Sequence, residues 1–305
     1  MRDPRSTMPA PSSFTVLGSG GGPSPTPGRG YPAHLLMAGE DPILIDCGEG
    51  AITGLKRAGI EMARLQHIVL SHHHFDHIGS LFAILGVNMM THRQNPLHIY
   101  GPPGTAQIVE GLFLACDVPN QTGFGATDRG LPHPRRFVSV TEITPGDVIE
   151  IGSCRVTCCE NTHYRPETEF GQPGPLSLSL RFDLPDRSVV FTGDTGPCTG
   201  VSRLASGVDL LVGEMVDAEY VMDRVRRNRP DAPAAMVAAI RAHMEEHHLT
   251  AEQLGEMAKA AGAKSVVAVH LTSDATTGAG IHAFRTRIES RFEGRVVIAG
   301  DGESF

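Results

Sequence analysis

The segment 72–77, with the sequence HHHFDH, holds the densest group of chemically capable side chains in the chain. Alternate residues of an extended backbone point to opposite sides, so His72 and His74 share one side. Asp76 and His77 follow where the chain is expected to turn into a helix, and they can face a second position. Imidazole nitrogen and carboxylate oxygen are ligands that suit zinc, and the absence of cysteine argues against a structural cysteine site. The segment therefore predicts part of a metal site.

Further side chains of the metal-binding type come shortly after other predicted strands. Residues at strand ends share one edge of a sheet, so such groups can converge although they are far apart in sequence. Two metals with open positions for water need about six or seven protein ligands. The sequence supplies that number if Asp194 bridges the metals. The candidates are His72, His74, Asp76, His77, His163, Asp194 and His270.

The elements that must position these residues are short strands separated by turns and a few helices. Strands are predicted at residues 14–17, 35–37, 42–45, 66–70, 97–100, 148–151, 155–159, 177–182, 188–191, 209–212 and 265–269. Helices are predicted up to Gly59 and around 106–114, and the Gly- and Pro-rich stretch 120–134 is predicted to be a long loop.

The last third is predicted to carry two helices. The first, at about 232–246, has the apolar residues Met236, Val237, Ile240 and Met244 at helical spacing. We expect it to pack through Met236, Ile240 and Met244. The second begins at a capping box formed by Thr250 and Gln253 and is expected to end at Gly262.

Composition limits the classes of partner. The 305 residues are 40% hydrophobic and carry a net charge of −8, which gives no overall attraction for polyanions. No apolar run is long enough for a membrane span, and the N-terminus lacks the apolar region of a secretory signal, so we expect a cytoplasmic protein that does not bind membranes. We expect residues 1–13 to be a disordered or added tail, with Met8 as a candidate start, and residues 14–305 to form a single domain. The six cysteines contain no C-x-x-C pair and are expected to be reduced and mostly buried.

The segment 71–79, SHHHFDHIG, is similar to the H-x-H-x-D-H signature of the metallo-β-lactamase superfamily. The resemblance extends over nearly the whole chain, and the other matching segments are 18–21 (GSGG), 46–49 (DCGE), His163, 192–194 (TGD) and His270. It implies an α+β fold, a four-layer αββα sandwich, that holds two Zn²⁺ ions, with Mn²⁺ or Fe²⁺ as alternatives. It places His72, His74 and His163 on the first metal and Asp76, His77 and His270 on the second. Asp194 would bridge them.

Within the superfamily the chain resembles the ribonuclease Z branch most closely. The matching segments are 99–104 (IYGPPG), 213–215 (GEM) and 248–250 (HLT). The resemblance implies that His248 donates a proton to the leaving group and that Glu214 orients it. His247 is the alternative proton donor, and pairing with an arginine is the alternative role of Glu214. Members of this branch are often dimers, so a homodimer is also implied.

One departure from that branch bears on the substrate. Enzymes that cut tRNA precursors usually carry a long Gly-, Pro- and Lys-containing arm in the second half. Here the interval between His163 and the strand predicted at 177–182 is too short for such an arm, and the chain has only three lysines. Small-molecule esters are therefore favoured over nucleic acid.

The resulting prediction is a dinuclear zinc hydrolase of phosphodiester or related ester bonds. A hydroxide held between two metals attacks in line, Asp76 orients it or accepts its proton, and His248 protonates the departing oxygen. Asp46 is a candidate acceptor for the N–H of a metal-binding histidine. The alternatives are sulfatase, lactonase or β-lactamase activity at the same site, a tRNA 3′-end endonuclease, and an inactive homologue that serves as a binding subunit.

Several other side chains are expected to have structural roles. Within the motif, His73 and Phe75 are expected to face away from the metals. His67 lies inside a predicted strand and is expected to be structural. The segment 243–247 (HMEEH) fits the inverted zinc-protease pattern, but the seven candidates already account for the metals, so a solvated helix end is expected. Cys198 has no base partner and is not expected to be a nucleophile.

Overall fold

The computed structural model describes residues 11–122, 131–164, 174–273 and 278–305, and their strands form two mixed sheets. The first sheet has its strands in sequence order: β1 (Ser13–Gly18), β2 (Ala33–Ala38), β3 (Asp41–Cys47), β4 (His67–Val69), β5 (Leu97–Gly101) and β6 (Val138–Glu142). Strands β1 to β3 are antiparallel, and β3 to β6 are parallel. Strands β2 and β3, which contain the predicted strands 35–37 and 42–45, form a hairpin across Gly39.

The second sheet is formed by the strands that follow in the sequence, β7 to β13. They also lie side by side in sequence order, with β7 at one edge and β13 at the other. Its strands are β7 (Val148–Ile151), β8 (Cys154–Glu160), β9 (Leu178–Asp183), β10 (Ser188–Phe191), β11 (Leu210–Glu214), β12 (Ser265–Val269) and β13 (Arg295–Ile298). Strands β10 to β13 are parallel, whereas β7 to β10 are antiparallel. Because β8 and β10 are both antiparallel to β9, the carboxyl ends of β8, β10, β11 and β12 meet at one edge of this sheet.

The helices lie mostly outside the sheets. They are α1 (Ala51–Arg57), α2 (Phe75–Ile78), α3 (Leu81–Met90), α4 (Thr105–Thr122), α5 (Thr199–Leu204), α6 (Ala218–Asn228), α7 (Ala234–Glu246), α8 (Ala251–Ala261) and α9 (Ala279–Glu289). Among the described residues, no helix is long and apolar enough to cross a membrane.

Three apolar cores separate four layers. Successive strand residues point to opposite faces, so Leu36 packs between the sheets while Leu35 packs outward against α1, α3 and α4. In the second sheet Val189 packs between the sheets, while Val190 packs outward against α5, α8 and α9. The architecture is therefore the αββα sandwich that the resemblance implied.

Several elements differ from the sequence prediction. The helix predicted at 106–114 continues to Thr122, so the beginning of the stretch predicted as a loop is helical. A short 3₁₀ turn at Pro134–Arg136 begins at the end of the predicted loop 120–134. Residues 123–130 of that loop lie outside the described residues. The described residues of the last third form four helices rather than two, because α6 and α9 were not predicted. Helices α3 and α5 and strands β6 and β13 were also not predicted.

The two predicted helices of the last third have different outcomes. Thr250 and Gln253 form the predicted capping box, and α8 ends at Gly262 in the left-handed conformation. Helix α7 exists, but it buries none of its residues, and Met236 is 38% exposed. The expectation that Met236, Ile240 and Met244 pack into a core is therefore wrong. The expectation for the cysteines is confirmed, since all six are free thiols and four of them are buried.

A buried arginine fixes the entrance to β4, the strand that leads to the segment 72–77. Arg93 is 4% exposed, and its guanidinium donates hydrogen bonds to five oxygen atoms. The acceptors are the carbonyls of Met62, Leu65, Asn95 and Pro96 and the side-chain oxygen of Asn88. This one side chain therefore ties the end of α3 to the segments that enter β4 and β5.

We predict that Arg93→Met lowers the free energy of unfolding by about 3 kcal/mol, because it leaves several buried carbonyls without a donor. Arg64→Met is the matched control. Arg64 is exposed and donates one hydrogen bond, to the carbonyl of Glu40, so its loss should cost less than about 0.5 kcal/mol. Chemical denaturation followed by circular dichroism measures both values. Equal effects of the two substitutions would contradict this role of Arg93.

Candidate metal centre

The ligand-type residues predicted from the sequence converge at one edge of the sandwich. His72 and His74 follow β4, and Asp76 and His77 lie in α2 directly after them. The remaining three follow strands of the second sheet: His163 after β8, Asp194 after β10 and His270 after β12. The site therefore combines one segment of the first sheet with three strand ends of the second.

His270 occupies an unusual backbone conformation that directs its side chain into the cluster. Its φ is +57°, a left-handed value that costs a residue with a side chain about 1–3 kcal/mol. The next residue is held on both sides, because Leu271 donates to the carbonyl of Ser19 and accepts from the N–H of Gly21. The loop that follows β1 thereby fixes the turn at the end of β12.

One group of ligand atoms comprises His72, His74, His163 and Asp194, which lie within 4.8 Å of one another. The Nε2 atom of His163 is 3.0 Å from Nδ1 of His74. Oδ2 of Asp194 is 3.9 Å from Nε2 of His72 and 3.8 Å from Nε2 of His163. Three imidazoles and one carboxylate therefore surround a common point.

A second group comprises Asp76, His77 and His270, again within 4.8 Å. Oδ2 of Asp76 is 3.6 Å from Nε2 of His77 and 3.4 Å from Nε2 of His270. Asp194 approaches this group too, with Oδ1 3.3 Å from Nε2 of His77 and Oδ2 3.1 Å from Nε2 of His270. Its carboxylate thus lies between the two groups, in the position expected of the bridging residue.

The donor atoms fit a divalent metal because several of them are buried without any hydrogen-bond partner. These atoms are Nε2 of His72, Nε2 of His77, both ring nitrogens of His270 and Oδ1 of Asp194. A buried polar atom without a partner is costly, and native proteins rarely tolerate many of them. Metal coordination would satisfy four of these five atoms at once.

The electrostatics of the cluster also favour a cation. Burial lowers the pKa of His163 to about 3 and the pKa of His72 well below its usual value, so both rings are neutral and offer a lone pair. Burial would likewise lower the pKa of His77, but the carboxylates of Asp194 and Asp46 raise it to about 10. The pKa of Asp194, which burial would raise, is held well below its usual range by His270 and His77. The carboxylates therefore stay ionised and attract positive charge.

Buried partners hold the outer nitrogens of the imidazoles. Asp46 is fully buried, and its Oδ2 accepts from Nδ1 of His77 at 2.7 Å and from Oγ of Ser71 at 2.8 Å. Its Oδ1 accepts from the N–H of Ser71 at 2.8 Å. This contact leaves Nε2 of His77 facing the cluster, where it would offer its lone pair to a bound metal. His163 is held similarly, because its Nδ1 donates to the carbonyl of His247 at 3.1 Å.

Glu214 and His248 form a buried pair beside the cluster. Nδ1 of His248 donates to Oε2 of Glu214 at 2.7 Å, and the N–H of Thr195 donates to the other carboxylate oxygen. Glu214 has no arginine partner among the described residues, so the alternative pairing with arginine is not found. Burial lowers the pKa of His248, but the neighbouring Glu214 carboxylate more than offsets this and raises it. Both carboxylate oxygens of Glu214 are engaged, although its side chain also lies within 4.8 Å of Asp194 and His270.

The segment 72–77 also contains His73 and Phe75, which were both predicted to face away from the metals. Nε2 of His73 is 2.8 Å from Oγ1 of Thr105, so this ring faces away as predicted. Phe75 does not face away from the site, because it lines the cleft above the cluster and is 88% exposed.

Sequence reasoning missed two other contributors. The N–H of Gly22 donates to Oδ2 of Asp76 at 2.8 Å, and a Cβ atom at Gly22 would lie 2.4 Å from that oxygen. The glycine-rich loop is therefore needed for close approach to the cluster. The ring of Tyr164 lies against those of His74 and His163, at 5.1 Å from each. Its position next to His163 in the sequence was the only available signal.

The zinc-protease-like segment has a role different from the one predicted. His243 is half-buried, and its ring lies 5.8 Å from that of His163 and 5.2 Å from that of His248. The expectation of a solvated helix end is therefore wrong for this residue, which lines the cleft. Nδ1 of His247 lies 2.6 Å from the carbonyl of Thr162, so this ring is engaged away from the cluster.

A cleft of about 880 Å³ opens above the cluster. Its floor includes His74, Asp76, Asp194, His248 and His270, and its walls come mainly from α6 and α7. A concave site of this size, with convergent polar groups at its base, has the form of a small-molecule binding site.

Comparisons with known proteins identify the family. A family model described as a beta-lactamase superfamily domain matches residues 42–271, and the chain therefore belongs to this superfamily. A ribonuclease Z of Mycobacterium avium (strain 104) is 29% identical over 290 residues, which cover 94% of this chain and 95% of the relative. These findings make the chain a metal-dependent hydrolase and confirm the resemblance drawn from its sequence.

Solved structures show the same fold. The metallo-beta-lactamase fold protein YhfI from Bacillus subtilis has a TM-score of 0.68 and 20% identity, covering 96% of this chain and 98% of its own. The short form of human tRNase Z has a TM-score of 0.64 and 19% identity, with coverage of 96% and 98%.

We predict that Asp46→Asn weakens Zn²⁺ affinity by about 10- to 100-fold, because an amide nitrogen cannot accept the N–H of His77. Competition with a chromogenic chelator measures the affinity. Asp147→Asn, in the exposed turn before β7, is the matched control and should leave the affinity unchanged. Circular dichroism of the metal-free variants separates loss of affinity from loss of the fold. Unchanged Zn²⁺ affinity in folded Asp46→Asn protein would contradict the predicted support of His77.

Proposed function

We propose that this protein is a dinuclear zinc hydrolase that cleaves phosphodiester or related ester bonds in small-molecule substrates. The observation that carries the proposal is the arrangement of two ligand groups around one shared carboxylate, with the Glu214–His248 pair beside them at the floor of the cleft. Hydrolysis of such bonds needs a nucleophile, charge neutralisation and a proton for the leaving oxygen. The site offers groups suited to each of these tasks.

We assign His72, His74 and His163 to one metal. Asp76, His77 and His270 are assigned to the other metal, and Asp194 is shared by both. The distances described above support this division, because each group surrounds its own centre and the carboxylate of Asp194 approaches nitrogens of both. Five imidazoles and two carboxylates form a donor set that favours zinc over the oxygen-preferring cations. When bound, the metals supply a nucleophile derived from water at neutral pH and neutralise charge on the group under attack.

Asp76 is the carboxylate best placed to orient the attacking water. Its Oδ2 is fixed by the N–H of Gly22, and its side chain is 13% exposed, so it is reachable from the cleft. It lies on the floor together with His270. We propose that Asp76 orients the nucleophile or accepts its proton while the chain keeps the carboxylate in place.

His248 is the proposed proton donor. Its Nδ1 is committed to Glu214, so Nε2 is the nitrogen available to a substrate in the cleft. The buried Glu214 carboxylate raises the pKa of His248 and fixes the orientation of its ring. We therefore propose that Nε2 of His248 protonates the departing oxygen and that Glu214 is its positioning residue.

The substrate proposal concerns size and charge. The Mycobacterium avium relative bears the name ribonuclease Z, and a polynucleotide substrate is the second candidate function. This chain has a net charge of −8, which gives no overall attraction for a phosphate backbone, and it has only three lysines. The interval after His163 that is predicted to be too short for an arm includes residues 165–173, which lie outside the described residues. We therefore propose a small ester, and the homodimer and the cytoplasmic location stay predictions.

We predict that His248→Ala acts selectively on poor leaving groups. Hydrolysis of methyl phenyl phosphate should fall by about 100- to 1,000-fold, whereas that of methyl 4-nitrophenyl phosphate should fall far less, because 4-nitrophenolate departs without a proton. Glu214→Gln should show the same selectivity in weaker form. Steady-state kinetics of proteins with equal metal content measure the ratio.

His247→Ala is the matched control for this experiment, since His247 is the neighbouring histidine and its ring is engaged with Thr162. It should change the rates for both esters by a similar factor. Equal losses for the two esters in His248→Ala would rule out proton donation by this residue. If both phosphodiesters are inert, a panel of sulfate esters, lactones and β-lactams identifies the bond that is cleaved.

We also predict that the zinc-loaded protein does not cleave precursor tRNA after the discriminator base at a rate comparable with that for small phosphodiesters. The Mycobacterium avium ribonuclease Z serves as the comparison enzyme in the same gel assay. Efficient cleavage by this chain, with a kcat/KM above that for the small esters, would replace the small-ester proposal by the tRNA endonuclease.

A further inference from the structure

Helix α7 carries an apolar stripe that the fold does not bury. Met236, Ile240 and Met244 recur every four residues, so they lie along one face of the helix. All three line the cleft above the metal-type cluster, and α7 has no buried residue. Leaving such a stripe in water costs free energy unless something apolar covers it. The stripe therefore points to a ligand or a partner.

Helix α6 packs beside α7 and adds apolar residues to the same cleft. Helix α6 is anchored to the body through the buried Met222, and it directs Val221 and Val225 into the cleft. Val216, two residues after β11, and the exposed ring of Phe75 also line the cleft. The cleft thus has a polar floor, where the reaction would occur, and apolar walls above it.

We propose that the part of the cleft lined by α6 and α7 binds a large apolar group, aromatic or alkyl, carried by the ester substrate. The inference rests on the proposed function and specifies its substrate class as amphiphilic small esters. The apolar group lies against the two helices while the ester group reaches the floor.

The charge and shape of the cleft favour this occupant over two others. Among the described residues that line it, the cationic side chains are Arg224 and Arg229, too few to follow a polynucleotide backbone. The cleft is concave and ends on the proposed catalytic groups, so a second copy of the chain seated there would obstruct them. Its volume of about 880 Å³ lies within the range of sites that enclose small molecules.

The test is a series of alkyl 4-nitrophenyl phosphates in which the alkyl group grows from methyl through butyl to hexyl. The leaving group is constant, so differences report the binding of the alkyl group. Each buried methylene should raise kcat/KM by about threefold, giving on the order of 100-fold between methyl and hexyl. The zinc-loaded enzyme is used throughout.

Ile240→Ser should reduce the hexyl-to-methyl ratio of kcat/KM by at least fivefold, because it places a hydroxyl in the apolar stripe. Val237→Ser is the matched control. Val237 lies on the same helix, is also partly exposed and does not line the cleft, so the ratio should be retained. Neither residue is buried in a core, and both variants are expected to fold.

Direct binding separates this inference from the proposed function. Hexylphosphonate and methylphosphonate are titrated calorimetrically into the zinc-loaded enzyme, and the hexyl compound should bind at least 10-fold more tightly in the wild type but not in Ile240→Ser. If no phosphodiester is hydrolysed, the proposed function fails, and the titration still decides the inference.

Three results would overturn the inference. The first is equal binding of the two phosphonates, or kcat/KM independent of alkyl length, which would leave the proposed function intact. The second is a dimer, seen by sedimentation, that Ile240→Ser dissociates while the hexyl-to-methyl ratio is unchanged. The third is cleavage of precursor tRNA that is more efficient than cleavage of the hexyl ester and is insensitive to Ile240→Ser.

Discussion

The buried carboxylate of Asp194 is the group on which the arrangement of the site depends. Its side chain is 4% exposed, and it lies within 4 Å of nitrogens from His72, His77, His163 and His270. A charge removed from water to this extent is tolerable only when several partners compensate it. Because these partners come from different strand ends, their convergence requires both sheets and the loop between β1 and β2. Much of the local geometry can be understood as a means of holding them in place.

The supporting structure is rigid for the same reason. A ligand group displaced by an ångström would lose much of its interaction with a metal, so the surroundings must fix each ring. Asp46 and the carbonyl of His247 hold two of the rings from behind, and the left-handed turn at His270 is locked by the loop after β1. Glycine at position 22 allows backbone to approach Asp76 closely. Arg93 acts further away, by fixing the entrance to β4.

The sequence predicted the site better than it predicted the helices, for physical reasons. The motif is local, and strand alternation separates His72 and His74 from His73, so their placement can be derived from spacing alone. Helix α3 is apolar on nearly all sides, so it has no amphipathic pattern to reveal it. Helix α7 does have an apolar stripe, but periodicity cannot tell whether that stripe meets a core or a cleft. Phe75 was misplaced for a similar reason, because alternation no longer applies where the chain turns into α2.

The polar floor and the apolar walls are coupled through water. An apolar group seated against α6 and α7 would displace solvent from the cleft above His248 and Asp76, and charges interact more strongly where water is excluded. The same group would add affinity in proportion to its buried surface without touching the reacting bond. A wall that is unfavourable in the free protein would therefore become part of the catalytic arrangement once such a substrate is bound. The proposed substrate would account for the apolar face that α7, a helix with no buried residue, presents to the cleft.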